Sequence, residues 1–190
     1  RANRMPEAKQ ELAALEAMAP NDPETYDVGG DVLLTESPIE AARKYVQAVR
    51  LAPDNVEYRL KLGSALVRAG EYEAALSHFE FAAAKAPERR EAHSGFAAAL
   101  YGTERWEAAS QQFAWLAEND PKSALAQYFL GACLDRMGDC QGALDAFDRF
   151  LVLANPVSDK LKIDEVNFRT PVIRRQLKRG DCKKVPKTNG

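Results

Sequence analysis

The sequence is poor in the residues that carry most metal and acid–base chemistry. It holds only two histidines, and its three cysteines, Cys133, Cys140 and Cys182, have spacings that match no zinc-binding pattern. It also contains no P-loop, no dinucleotide-binding fingerprint and no nucleophile elbow. We therefore predict that the chain is not an enzyme, and that it has no catalytic residues, no metal site and no cofactor.

Long apolar runs and an excess of one charge are missing as well. No stretch is long enough to cross a bilayer, so the sequence predicts no transmembrane segment in this chain. A formal net charge of −2 and a pI near 5.8 disfavour nucleic acid as a partner. The chain begins with Arg1 rather than methionine, so any N-terminal targeting or anchor segment would lie upstream of it. A cytoplasmic and a bacterial periplasmic location both stay open, as does the oligomeric state.

What the sequence does have is an internal repeat. Three positions of the repeat each keep one type of residue at intervals of 34: one is small, one is aromatic and one is proline. The recurring sets are Ala41, Ala75, Ala109 and Ala143; Tyr45, Phe79, Phe113 and Phe147; and Pro53, Pro87 and Pro121. A Leu-Gly pair lies early in the clearest unit, at Leu62 and Gly63. This pattern predicts a stack of similar helix pairs.

The pattern resembles the tetratricopeptide repeat (TPR) family, whose period is 34 residues. The resemblance implies an all-α, right-handed superhelical solenoid of antiparallel helix pairs. It also implies a concave groove, lined by the first helix of each pair, in which peptides or partner helices lie. The alanine-rich repeats are similar to bacterial members of the family, which often serve in envelope, pilus or secretion assemblies.

The repeat frame divides the chain into successive segments. We predict a TPR array over residues 1–157, followed by a loop at 158–169, a C-terminal capping helix at 170–180 and a tail at 181–190. Within the array lie a partial repeat (1–20), an irregular repeat (21–55) and regular repeats at 56–89, 90–123 and 124–157. The capping helix is predicted from the Thr170-Pro171 start signal and is interpreted as a truncated repeat displaced by an insertion.

Projection of a helical period onto the first helices predicts which side chains line the groove. We expect it to be small and apolar at its middle and charged at its ends, a surface suited to an apolar anchor or a bound helix. The predicted residues are Leu60, Lys61, Ser64, Val67 and Arg68 in one repeat; Ser94, Gly95, Ala98 and Tyr101 in the next; and Tyr128, Phe129, Ala132, Asp135 and Arg136 in the last.

Three functions remain open at this point. The first is a non-catalytic scaffold that binds a protein or peptide in the groove. The second is an accessory TPR domain of a larger enzyme whose catalytic part lies upstream. The third is binding of an anionic polymer or a membrane surface by a basic C-terminal end, whose main residues are Arg174, Arg175, Lys178 and Arg179.

Cys133 and Cys140 flank one interhelix turn, so a disulfide between them is conceivable. We favour two small buried residues instead, because free cysteine behaves as a small hydrophobe.

Overall fold

The computed structural model describes residues 5–183, which form ten α-helices and no strand. The chain divides into two compact units, Arg1–Gly102 and Thr103–Gly190, called unit 1 and unit 2 below. The all-α fold built from helix pairs is confirmed. Each of the regular repeats predicted at 56–89, 90–123 and 124–157 contains two helices. None of the described helices is both long enough and apolar enough to span a membrane.

Unit 1 contains six helices in which antiparallel pairs follow one another. They are α1 (Met5–Met18), α2 (Pro23–Leu33), α3 (Pro38–Leu51), α4 (Val56–Arg68), α5 (Tyr72–Lys85) and α6 (Arg90–Gly102). The side chain of Asn55 caps α4 by accepting hydrogen bonds from the backbone N–H groups of Glu57 and Tyr58. Gly70, with a φ of 81°, makes the left-handed turn that separates α4 from α5.

Aromatic rings packed against glycines hold unit 1 together. A Cβ atom on Gly30 would lie 2.3 Å from Cε1 of Tyr45, and one on Gly63 would lie 2.8 Å from Cζ of Phe79. The ring of Phe79 also occupies the space beside Gly95, where a Cβ would lie 2.1 Å from Cε1. Glycine at position 30 lowers the intrinsic stability of α2, but its missing side chain leaves room for the buried Tyr45 ring. Gly30 is therefore explained by packing.

Unit 2 contains four helices: α7 (Trp106–Asn119), α8 (Ala124–Met137), α9 (Cys140–Leu153) and α10 (Lys160–Arg179). The Gly131–Phe147 contact repeats the packing of unit 1, since a Cβ on Gly131 would lie 2.7 Å from the Phe147 ring. The core of unit 2 extends from this contact through Phe150 to Val166 and Ile173 of α10. Helix α10 is therefore an integral part of the unit's core.

The predicted loop at 158–169 is wrong, because α10 is helical from Lys160 onwards and passes through Pro171 without ending. It starts 36 residues after the start of α8, two more than the repeat period, so the displacement before it is two residues and not the twelve-residue loop that was predicted. Ile163, Val166, Thr170 and Ile173 form its inward face, since spacings of three and four place them on one side. The extra length of α10 lies at its C-terminal end.

The cysteines pair differently from the prediction. Cys140, at the start of α9, forms a disulfide with Cys182, whereas Cys133 is a free, buried thiol. Cys140 is therefore not simply a small buried residue, as the sequence suggested. The backbone N–H of Lys183 also donates to the carbonyl of Gly138 at 3.0 Å, so residues 181–183 of the predicted tail are attached. Residues 1–4 of the predicted partial repeat and 184–190 of the tail lie outside the described residues.

Candidate functional site

The first-helix face of unit 1 is the surface that best matches the predicted groove. Helices α4 and α6 contact each other, as expected for the first helices of neighbouring repeats. We define the face by Lys61, Ser64, Val67 and Arg68 of α4 and by Ser94, Ala98 and Tyr101 of α6. Ser64, Arg68 and Ser94 are exposed and the other four are half-buried. The middle of the face is thus built from small side chains.

An ion-pair network lies at one side of this face. Nζ of Lys61 lies 2.8 Å from Oδ2 of Asp27 and 2.8 Å from Oδ2 of Asp31. Asp31 accepts a second hydrogen bond, at 2.6 Å, from the hydroxyl of the buried Tyr45. Oδ1 of Asp27 is buried and has no hydrogen-bond partner among the described residues. The network ties α2, α3 and α4 together, and within it the Asp31 side chain is 50% exposed.

Burial and these carboxylates shift the pKa values of neighbouring groups. Burial raises the pKa of Tyr45, and the hydrogen bond to Asp31 raises it further, so the phenol stays protonated. Burial works to lower the pKa of Lys61, but its hydrogen bonds to Asp27 and Asp31 outweigh this and raise it. Lys61 therefore stays protonated, and its charge is paired with the carboxylates of Asp27 and Asp31.

Two residues predicted to line the groove in unit 1 do not do so. Leu60 is buried, with 5% of its surface exposed, and belongs to the core. Gly95 faces the ring of Phe79 on α5. A helical projection identifies the side of a helix, but residues near the edge of that side can face the next helix.

In unit 2, α10 engages two of the predicted groove residues. Tyr128 is buried in the core cluster, and its hydroxyl donates to Oε2 of Glu165 at 2.7 Å. Asp135 forms a two-pronged ion pair with Arg169, with distances of 2.7 and 2.8 Å. Tyr128 was expected to be an open groove residue. It is instead part of the core, because α10 begins ten residues earlier than predicted and covers it.

The other predicted residues of α8 remain at the surface to different degrees. Phe129 is half-buried and stacks on Phe113, with ring centroids 5.1 Å apart. The guanidinium of Arg136 lies 5.5 Å from the centroid of the Trp106 ring, and Ala132 is half-buried. These side chains already have contacts within unit 2, so its first-helix face is less available than that of unit 1.

The predicted basic end lies on the last turns of α10. Arg174, Arg175, Lys178 and Arg179 are all exposed. Arg174 lies 3.6 Å from Asp148, which offsets part of its charge. Lys178 and Arg179 occupy the last turn of the helix, where cations interact favourably with the helix dipole. A structural role thus accounts for part of this charge. Lys184 and Lys187, which follow these residues in the sequence, lie outside the described residues.

Asp27 and Asp31 were missed by the sequence reasoning. A signal was present: Asp27 precedes Lys61 by 34 residues, so the two occupy the same position in successive repeats. Arg169 follows Asp135 by the same interval. Opposite charges one period apart therefore mark contacts between successive first helices in this chain.

No group of three or more potential metal ligands occurs among the described residues. The first-helix face of unit 1 presents hydroxyls, a methyl group, an aromatic ring and charges, an arrangement suited to contact with another molecule.

Two family models, both described as tetratricopeptide repeat, match the chain, at residues 37–90 and at residues 66–133. No curated protein matches it. Among solved structures, YrrB, described as a TPR protein with an unusual peptide-binding site, is 23% identical with a TM-score of 0.75; the match covers 86% of this chain and 85% of YrrB. MamA from Desulfovibrio magneticus RS-1 is also 23% identical, with a TM-score of 0.69 and coverage of 76% and 84%.

These likenesses to solved structures show the fold. The two family matches together span residues 37–133, just over half of the chain, and agree with the helix pairs and with the 34-residue period. The fold supports a protein-interaction scaffold as the general class of function. The chain belongs to the tetratricopeptide repeat family.

Proposed function

We propose that the chain is a non-catalytic scaffold that binds a peptide or a helix of a partner protein on the first-helix face of unit 1. The observation that carries the proposal is the row of small side chains, Ser64, Ser94 and Ala98, on two first helices in contact. These side chains are exposed or half-buried and take no part in the buried core of unit 1. A surface that is neither charged nor filled by large side chains admits an approaching backbone closely.

The charged groups at the ends of the face would set the direction in which a peptide binds. Arg68 is exposed near the C-terminal end of α4, and the carboxylates of Asp27 and Asp31 lie beside Lys61. A bound peptide therefore meets an anionic side and a cationic end, which favours one direction of binding over the other. The peptide-binding site of YrrB, a protein of the same fold, supports this class of function.

The test is a selection from a displayed library of random 15-residue peptides on the folded chain. We expect the selected peptides to bind the wild type and to lose at least about tenfold in affinity for Ser64→Trp with Ser94→Trp. Ser77→Trp is the matched control, because Ser77 is an exposed serine on the second helix α5. Equal loss in both variants, or no loss in either, would remove this face as the binding site.

A further inference from the structure

Helix α10 carries a second apolar stripe, on the side opposite its inward face. Phe168 follows Leu161 by seven residues and Val172 follows Phe168 by four, so the helical period places all three on one side. Leu161 is 85% exposed and Phe168 is 82% exposed, whereas Val172 is half-buried. Of the eight phenylalanines, all of which lie within residues 5–183, Phe168 alone is exposed. We call this stripe the outer face of α10.

Two charged side chains beside the outer face have no ionic partner among residues 5–183. They are Glu165 and Arg175, and both are exposed. The hydroxyl of Tyr128 donates to Oε2 of Glu165 at 2.7 Å, which holds the carboxylate in place. Other charges of α10 are paired within unit 2, as Lys160 with Asp164, Arg169 with Asp135 and Arg174 with Asp148. The outer face therefore has an unpaired anion towards its N-terminal end and an unpaired cation towards its C-terminal end.

These side chains are spaced symmetrically along the helix about the level of Thr170. Glu165 lies five residues before that level and Arg175 lies five after it. Phe168 and Val172 lie two before it and two after it. When two copies of α10 pair antiparallel about a two-fold axis at this level, Glu165 of each copy lies beside Arg175 of the other. Phe168 of each copy likewise lies against Val172 of the other, so the outer face is complementary to itself in both charge and apolar contact.

A membrane surface fits the outer face less well than a second copy does. Asp164 and Glu165 are exposed one turn before Phe168, on the same side of the helix. A helix lying on a membrane would bring both carboxylates to the lipid headgroups, and an anionic surface would repel them. A second copy instead supplies the cation Arg175 at the level of Glu165.

We propose that the outer face of α10 binds the same face of a second copy of this chain, antiparallel and with a two-fold axis near Thr170. The pairing covers the exposed Phe168 and gives Glu165 and Arg175 the ionic partners that they lack within one chain. This contact is made by α10 and does not depend on the peptide-binding face proposed for unit 1.

Sedimentation of the chain at a series of concentrations tests the pairing. We expect the average mass to rise from 21.0 kDa towards twice that value, with a dissociation constant of about 100 µM or lower. Phe168→Ser should weaken association at least about tenfold, whereas Met18→Ser, a control at an 83% exposed residue of α1, should leave it unchanged. A chain that stays monomeric at about 1 mM, or equal losses in the two variants, would overturn the proposal.

Charge reversal tests the antiparallel orientation and separates association from folding. Glu165→Arg and Arg175→Glu should each weaken association at least about tenfold, because like charges then face each other twice in the dimer. An equimolar mixture of the two variants should associate about as tightly as the wild type, because both pairs in the mixed dimer again join opposite charges. This recovery cannot come from a change in the folding of either variant. A mixture that associates no better than the single variants would contradict the antiparallel pairing.

Vesicles of phosphatidylcholine and phosphatidylserine test the competing partner. We expect Phe168→Ser to co-sediment with them to the same extent as the wild type. Loss of vesicle binding in this variant, with a wild type that forms no dimer, would assign the outer face to a membrane surface and overturn the proposal.

Discussion

The first-helix face of unit 1 is open, whereas the corresponding face of unit 2 is partly engaged by α10. Both units pack an aromatic ring against a glycine, at Phe79 with Gly63 and at Phe147 with Gly131. They differ in how the remaining first-helix side chains are used. Unit 2 adds a disulfide and the Asp135–Arg169 ion pair, which fix α10 in place. Units with the same ring-on-glycine packing therefore differ in how much of the first-helix face is left exposed.

Unit 1 has no disulfide among its described residues, so its stability depends on ring packing. The largest effect is expected for Phe79→Ala, because Phe79 fills the space beside both Gly63 and Gly95. We expect a loss of about 3–5 kcal/mol in urea unfolding. Phe81→Ala is the matched control on the same helix, with a half-buried ring under the Arg59 guanidinium, and should cost about 1 kcal/mol. Similar losses for the two would contradict the importance of the glycine contacts.

Unit 2 can be tested by removing its cross-link. Reduction of Cys140–Cys182, or Cys182→Ser, should lower stability by about 2–4 kcal/mol, because the bond closes a segment of 42 residues. Amide exchange should accelerate in α10 and remain unchanged in α4.

Alkylation of the free thiol of Cys133 provides a second measurement in the disulfide experiment. Burial raises the pKa of its thiol to about 12, so it should resist alkylation at pH 8 in the oxidised protein. Exchange that accelerates equally in α4 and α10 would show that the disulfide does not act locally.

Substitutions in the turn at the start of unit 2 should change the stability by less than removal of the disulfide does. Glu104 has a φ of 59°, in the left-handed region that Gly70 and Gly138 occupy one period to either side. Glu104→Gly should therefore stabilise the protein by about 1 kcal/mol. Gly70→Ala should cost about the same, because a Cβ there meets nothing within 4 Å and only the backbone conformation opposes it. A destabilised Glu104→Gly would mean that the glutamate side chain itself is needed.

The smallest expected effect is the contribution of His78, in unit 1, to the pH dependence of stability. Burial, with a smaller contribution from Arg59, lowers the pKa of His78 below its ordinary value of 6.5. The unfolded chain thus binds a proton more readily, and stability should fall as the pH drops below 6.5 towards the folded pKa. In His78→Leu this part of the pH dependence should disappear from unfolding curves measured between pH 5 and pH 8. If the pH dependence of the unfolding free energy is the same in His78→Leu as in the wild type, groups other than His78 cause it.

The helix pairs could be predicted from the sequence because the 34-residue period records packing. Phe79 packs against Gly63 of its own repeat and Gly95 of the next, so the period records contacts within a repeat and with its neighbour. The family matches confirm the tetratricopeptide repeat. Helix α10 was placed wrongly for a physical reason. Thr170-Pro171 looks like a helix start, but a proline is also tolerated within a helix when the surrounding packing compensates for the lost hydrogen bond.

The site was harder to predict than the fold. Leu60 and Tyr128 lie on the predicted side of their helices, but their burial depends on neighbouring helices that a projection of one helix does not include. The disulfide joins two Gly-Asp-Cys turns, at 138–140 and 180–182, whose likeness is visible in the sequence. Their proximity arises from the two extra turns of α10, which bring Cys182 back to the start of α9.

We propose above that the first helices of unit 1 form the binding face. The most direct measurement is chemical-shift mapping of the folded chain during titration with a peptide selected from the random library. We expect the largest shifts on α4 and α6, at Ser64, Val67, Ser94 and Ala98. Shifts concentrated on the second helix α5, or on α10, would contradict it.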